Sequence, residues 1–176
     1  VNRAALAALL TLGALLGLAA AFWPRSVPLP PDPAPLVGPV DRIVIDKAAR
    51  RMTLYRDGEA LRRYDVALGF APAGDKQSQG DGRTPEGRFR IDRRNPDSQY
   101  HLSLGIDYPQ PADRARAAAA GQDPGGDIFI HGQPNALPAG TVLPGDWTAG
   151  CIAVSNAEMA EIWQVTPIGT EVVIRP

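Results

Sequence analysis

The sequence predicts a mostly-β domain, a sandwich of short strands with short helices, set behind an N-terminal hydrophobic helix. Three observations carry that prediction. Between residues 40 and 176, several short runs alternate apolar and polar residues with a period of two. Glycine, proline and aspartate stand between these runs where turns need them. Only two segments there carry the start and stop signals of a helix. At 176 residues the chain has room for one domain plus accessories. A net charge of −1 gives no electrostatic case for nucleic acid. One cysteine and two histidines, none at ligand spacing, offer no metal site. Neither a phosphate-cradling glycine loop nor a G-x-S-x-G elbow occurs, so no cofactor is expected.

The elements follow in order. After Val1-Asn2-Arg3, residues 4–23 are uncharged and rich in Leu and Ala. Twenty residues at ~1.5 Å each match a ~30 Å hydrocarbon core, so residues 1–23 read as a transmembrane anchor or a signal peptide. Either reading places the rest on the periplasmic or extracytoplasmic side, tethered to the inner membrane or secreted. Residues 24–39 hold seven prolines in sixteen positions, a linker of about 50 Å at full stretch. The folded domain is expected over residues 40–176. Arg42 to Asp46 and Arg51 to Arg56 alternate as half-buried strands, and Asp57-Gly58 signals the hairpin that returns as a strand from Leu61 to Leu68. A Gly/Asp/Gln loop leads to the turn Thr84-Pro85-Glu86-Gly87 and a strand at Arg88 to Ile91. Tyr100 to Ile106 is the next strand. Pro111 opens a helix through Ala120, stopped by Gly121. Ser155 and Glu158 form a capping-box pattern before a helix that buries Met159, Ile162 and Trp163. A last strand runs from Glu171 to Ile174.

The chemistry concentrates between Asp127 and Val154. The run Ile128-Phe129-Ile130 delivers His131-Gly132, and Trp147-Thr148-Ala149-Gly150 delivers Cys151, the only cysteine. A lone thiol and an imidazole at element ends, each beside glycine, suit a cysteine nucleophile with its base. A small buried core residue is the plain alternative for Cys151. Backbone N–H groups of Cys151 and Gly150 are the expected donors to an oxyanion. Thr148 suits either the turn itself or substrate contact, and Trp147 either packing or binding. Tyr108, Arg83 and Arg114 are candidates for meeting substrate carboxylates, with solvated surface as the alternative for the arginines. His101, alternating with Leu102 and Leu104, is placed on a sheet face or in a substrate groove.

These residues resemble the L,D-transpeptidase (YkuD) catalytic domain family, whose motif is a His, some sixteen residues, then [Ser/Thr]-His-Gly-Cys. His131, Thr148, Gly150 and Cys151 match it, and Gly82-x-Thr84-Pro85-x-Gly87-x-Phe89 resembles a second family segment. Ala149 replaces the motif's second histidine, and Ala153 stands where many members carry Arg or Asn. In this respect the stretch is similar to a divergent branch that includes enzymes releasing wall-attached lipoprotein. The resemblance implies a cysteine acyltransferase working on peptidoglycan stem peptides through a thioester, with His131 oriented by the Gly132 carbonyl. It also implies two alternatives on the same fold: a hydrolase of lipoprotein or cross-link attachments, and a non-catalytic wall-binding module.

Overall fold

The computed structural model describes residues 34–176. The expected N-terminal hydrophobic helix, residues 1–23, and most of the proline-rich linker lie outside the described residues. Among those described, no helix is long and apolar enough to cross a membrane.

Among the described residues, eight strands and two helices form in the order β1 (Arg42–Asp46), β2 (Arg51–Arg56), β3 (Glu59–Asp65), β4 (Gly87–Asn95), β5 (Ser103–Ile106), α1 (Pro111–Ala119), β6 (Phe129–His131), β7 (Ile152–Ala153), α2 (Asn156–Val165) and β8 (Glu171–Arg175). The fold is mostly β, as the alternation predicts. The strands hydrogen-bond in the order β3-β2-β1-β8-β4-β5-β6-β7. Strand β4 joins two halves. Its first residues pair with β8, and its last pair with β5 after a register shift between Ile91 and Arg93. An irregularity of this kind bends a strand and lets one sheet curl. The curl brings the ends of the sheet together: Ala67 and Gly69, just past β3, bridge to Ala153 and Thr148.

Alternate residues of β1, β4 and β8 are withdrawn from water, among them Ile43, Ile45, Phe89, Ile91, Val172 and Ile174, while β5 is buried throughout. Helix α2 closes this core with Met159, Ile162 and Val165. Its start is the reciprocal cap read from the sequence: Glu158 N–H donates to Ser155 Oγ at 3.3 Å, and Ser155 N–H to Glu158 Oε2 at 2.9 Å. Trp163 is only partly buried: it packs against the core with its ring 4.0 Å under the Arg94 guanidinium.

The boundaries of the third, fourth and fifth strands differ most from expectation. The third strand ends at Asp65 and not Leu68, because residues 66–69 leave it for their bridges beside β7. Strand β4 runs on to Asn95, since pairing with β5 extends it. Strand β5 starts at Ser103, because the chain before it is a turn in which His101 has φ +66°. At the N-terminal edge, Leu36 packs on the core and the Arg56 side chain donates to the carbonyls of Val37, Gly38 and Pro39 at 2.6–2.7 Å.

Candidate active site

Strands β6 and β7 run parallel, with Ile130 opposite Ile152 and His131 opposite Ala153. Ile130 and Ile152 are fully buried in the core, so Phe129 and His131 project from the other face of β6, and Cys151 from the matching face beside it. Phe129 N–H donates to Cys151 Sγ at 3.4 Å, and the thiol donates to the Asp127 carbonyl at 3.4 Å. Cys151 and His131 thus stand on one face and line one cavity of about 610 Å³, together with Tyr100, Phe129, Trp147 and Thr148.

His131 is 4% exposed. Its Nδ1 lies 2.7 Å from the Gly132 carbonyl, which can only accept, so Nδ1 carries the proton and Nε2 keeps a basic lone pair. Gly132 leaves little room for a side chain: a Cβ would come 2.5 Å from Asn156 Oδ1 and 3.0 Å from the His101 Cβ. Burial holds the imidazole below its ordinary pKa of 6.5, partly offset by the Gly132 bond. Burial pushes the Cys151 thiol above 9.0; Asp127 adds to this, and the Phe129 amide, Lys76 and Arg93 oppose it. The resting pair is therefore a neutral thiol and a neutral imidazole, suited to proton transfer on attack and not to a standing ion pair.

The turn before Cys151 is knotted by Thr148. Its Oγ1 accepts from Gly150 N–H at 3.1 Å and donates to the Cys151 carbonyl at 2.7 Å. Gly150 has φ +135°, and a Cβ there would sit 2.7 Å from the Arg83 carbonyl. Leu68, Gly69 and Phe70 grip the same turn: Thr148 N–H donates to Leu68 O, and Phe70 N–H to Thr148 O. Gly69 N–H in turn donates to Thr84 Oγ1 at 3.0 Å. Two buried lysines hold the loop that carries Thr84. Lys47 Nζ reaches Gly74 O, Thr84 O and Glu86 Oε1 at 2.6–2.9 Å. Lys76 Nζ reaches Asp81 Oδ1 at 2.8 Å.

A model of the L,D-transpeptidase catalytic domain, YkuD, matches residues 40–174. The chain belongs to the YkuD family. YafK of Escherichia coli (strain K12), which carries the name of an L,D-transpeptidase, is 31% identical over 135 residues, covering 73% of this chain and 48% of YafK. The structure of the helical cell shape determining protein Pgp2 from Campylobacter jejuni superposes with a TM-score of 0.58 at 27% identity, covering 82% of this chain and 51% of Pgp2. An Enterococcus faecium L,D-transpeptidase structure shares the fold with a TM-score of 0.53 at 17% identity, covering 78% of this chain and 50% of that one. The chain therefore spans about half the length of these relatives.

Within this YkuD domain, the residues predicted from the sequence divide. Cys151, His131, Thr148 and Trp147 come together at the cavity, and the Gly132 carbonyl meets His131 as the resemblance implied. Gly150 does not offer its N–H to the cavity, because Thr148 Oγ1 takes it; the Cys151 amide is the donor left at the turn. Thr148 itself is buried and spends its hydroxyl inside the turn. Tyr108 is not a substrate contact: it is 4% exposed, packs edge-on against Phe89, and donates its hydroxyl to the Pro124 carbonyl at 3.0 Å. Arg83 donates to the Asp75 carbonyl at 3.2 Å, and Arg114 is exposed on α1; neither lines the cavity. His101 lies outside the cavity, in the turn before β5, with its N–H bound to Asn135 Oδ1 at 2.8 Å. The side chain that faces His131 is instead its neighbour Tyr100. Nothing in composition or periodicity singles that tyrosine out, since only the left-handed residue after it turns the ring inward.

Proposed function

We propose that this YkuD domain is a cysteine acyltransferase acting on peptidoglycan stem peptides. The observation that carries the reading is the placement of Cys151 and His131 in one open cavity, with His131 Nδ1 fixed by the Gly132 carbonyl. Cys151 Sγ attacks a substrate carbonyl carbon while His131 Nε2 takes the thiol proton. The oxyanion meets the Cys151 amide. On collapse the C–N bond breaks, His131 returns the proton to the leaving amine, and a thioester remains. An acceptor amine then attacks the thioester and displaces the thiolate, which recovers the proton through His131.

Water in place of the amine gives hydrolysis, and one observation favours that second reading. Ala149 lies exposed at the cavity where the family motif has a second histidine, so the cavity lacks one polar group there. An extracytoplasmic location, with residues 1–23 as anchor or signal, belongs to the same proposal, as does a role in cell shape like that named for Pgp2. The deciding experiment incubates the protein with muropeptides, with and without an acceptor amine, beside Cys151→Ala. New cross-linked products support transfer, and free peptides alone support hydrolysis. Full turnover by Cys151→Ala removes the nucleophile assignment.

A further inference from the structure

Tyr100 is one of few large hydrophobic side chains left exposed, yet its placement is tightly determined. Its N–H donates to Ser98 Oγ at 3.0 Å, and the next residue, His101, takes the left-handed φ of +66°. Asn135, on the loop after β6, closes this turn with three bonds. Its N–H goes to Gln99 O at 2.9 Å, its Nδ2 to Ser98 O at 2.8 Å, and its Oδ1 accepts from His101 N–H at 2.8 Å. The Tyr100 carbonyl accepts Gly132 N–H at 3.0 Å, so Gly132 binds Tyr100 with one backbone group and His131 with the other. The result is a phenol ring 4.7 Å from the His131 ring centre, tilted by 42°, with Trp147 edge-on at 5.8 Å.

We propose that Tyr100, pinned by Asn135, is the positioning residue that shields the His131 ring and keeps it ready to take the Cys151 proton. This rests on the reading of those two residues as nucleophile and base. A non-glycine residue in the left-handed region is held there against a preference for other conformations. Three side-chain and backbone bonds from a single asparagine maintain it. The exposed ring has no core to fill; what it covers is an imidazole that lines an open cavity and is nevertheless almost fully withdrawn from water. The titratable groups around His131 are few. They are the Cys151 thiol from the turn before β7, Asp127 at the head of β6, and Asp97, Tyr100 and His101 from the turn before β5. The Asp127 carboxylate is paired with Arg93 at 3.2 Å, and the His131 ring hydrogen-bonds to the Gly132 carbonyl. No carboxylate hydrogen-bonds to the ring, burial is what lowers its pKa, and Tyr100 and Trp147 form part of that cover.

The test needs no substrate. The full chain in detergent has two histidines, so the Cε1–H signal of His131 can be assigned and titrated by NMR. The wild-type His131 midpoint is expected below 6.5. Tyr100→Ala is expected to move it up towards 6.5, Asn135→Ala to move it the same way, and Tyr100→Phe to leave it in place. The acid limb of kcat/KM should follow the same order. A His131 midpoint unmoved by Tyr100→Ala overturns the proposal, and so does a shift in Tyr100→Phe as large as that in Tyr100→Ala. Failure of the acyl-transfer reading shows separately, as absent turnover in the wild type.

Discussion

Phe129 donates its backbone N–H to the Cys151 sulfur at 3.4 Å, in the place where a continued ladder would pair two backbones. That bond ties the thiol to the strand that carries His131 two residues later. It opposes, without cancelling, the effect of burial on the thiol. Burial leaves the thiol protonated across neutral pH and the imidazole unprotonated down to a pH below 6.5. The base form of His131 is therefore the major one at pH 6.5 and above and is lost as pH falls through its lowered folded pKa, so the acid limb of kcat/KM should lie below 6.5. Removing the base with His131→Ala should lower kcat/KM about 10²–10⁴-fold at neutral pH. The remaining rate should climb only towards pH 9 and above, as thiolate forms. A pH–rate profile of both proteins checks this; an acid limb above 6.5 in the wild type would contradict it.

Thr148 acts on the chemistry through the turn and not through substrate. Its hydroxyl both accepts from Gly150 N–H and donates to the Cys151 carbonyl, and it is 4% exposed. Thr148→Val keeps the shape and leaves both backbone groups without partners, a change of about 1–3 kcal/mol. Urea unfolding should show that loss, with kcat falling more than KM rises, and Thr148→Ser should restore both. A rise in KM alone would instead assign the hydroxyl to substrate.

The parts of this molecule legible in its sequence are those fixed by periodicity and by scarcity. Alternation places β1, β2 and β8 to within a residue, because β1 and β8 bury every second side chain against one core and β2 buries Met52 and Leu54 there. Cys151 and His131 stand out because a chain with one cysteine and two histidines offers few other bases or thiols. The sequence misleads where tertiary bonds override local pattern. Alternation from Tyr100 to Ile106 reads as one strand, but Asn135 holds the first part in a left-handed turn, and this exchanges Tyr100 for His101 at the cavity. The Tyr108 hydroxyl suggests a substrate contact, but it meets the Pro124 carbonyl sixteen residues away. The buried Lys47 and Lys76 give no signal in the sequence, since only the folded loop supplies the oxygens that make burial of an ammonium tolerable.

Asp81 links that loop to acid stability. Burial on its own would raise its carboxyl, but the Lys76 ammonium and the amides of Gln77, Arg83 and Ser78 outweigh it and hold the pKa at about 2, from an ordinary 3.8. A depressed folded pKa means stability present above 3.8 and lost as pH falls towards 2. Wild-type urea midpoints should therefore drop between about pH 4 and pH 2 by more than those of Asp81→Asn. At pH 7 the variant should be the less stable of the two. Equal slopes for both proteins over that interval would remove Asp81 from the account.

Residues 36–39 tie the proline-rich stretch to the domain. They belong to that stretch by composition, yet Leu36 rests on the core and Arg56 binds three successive carbonyls from Val37 to Pro39. Each exposed bond is worth little, and a partly buried leucine about 1 kcal/mol, so the strap should contribute about 1–3 kcal/mol in all. A protein starting at residue 40 should unfold at lower urea than one starting at residue 34 by that amount. The decisive comparison is Arg56→Ala in both lengths. If the guanidinium acts through these carbonyls, the substitution destabilises the longer protein and leaves the shorter one nearly unchanged, a coupling that a double-mutant cycle reads directly. Equal losses in both lengths would mean that Arg56 acts elsewhere, for instance along β2, and not through the strap.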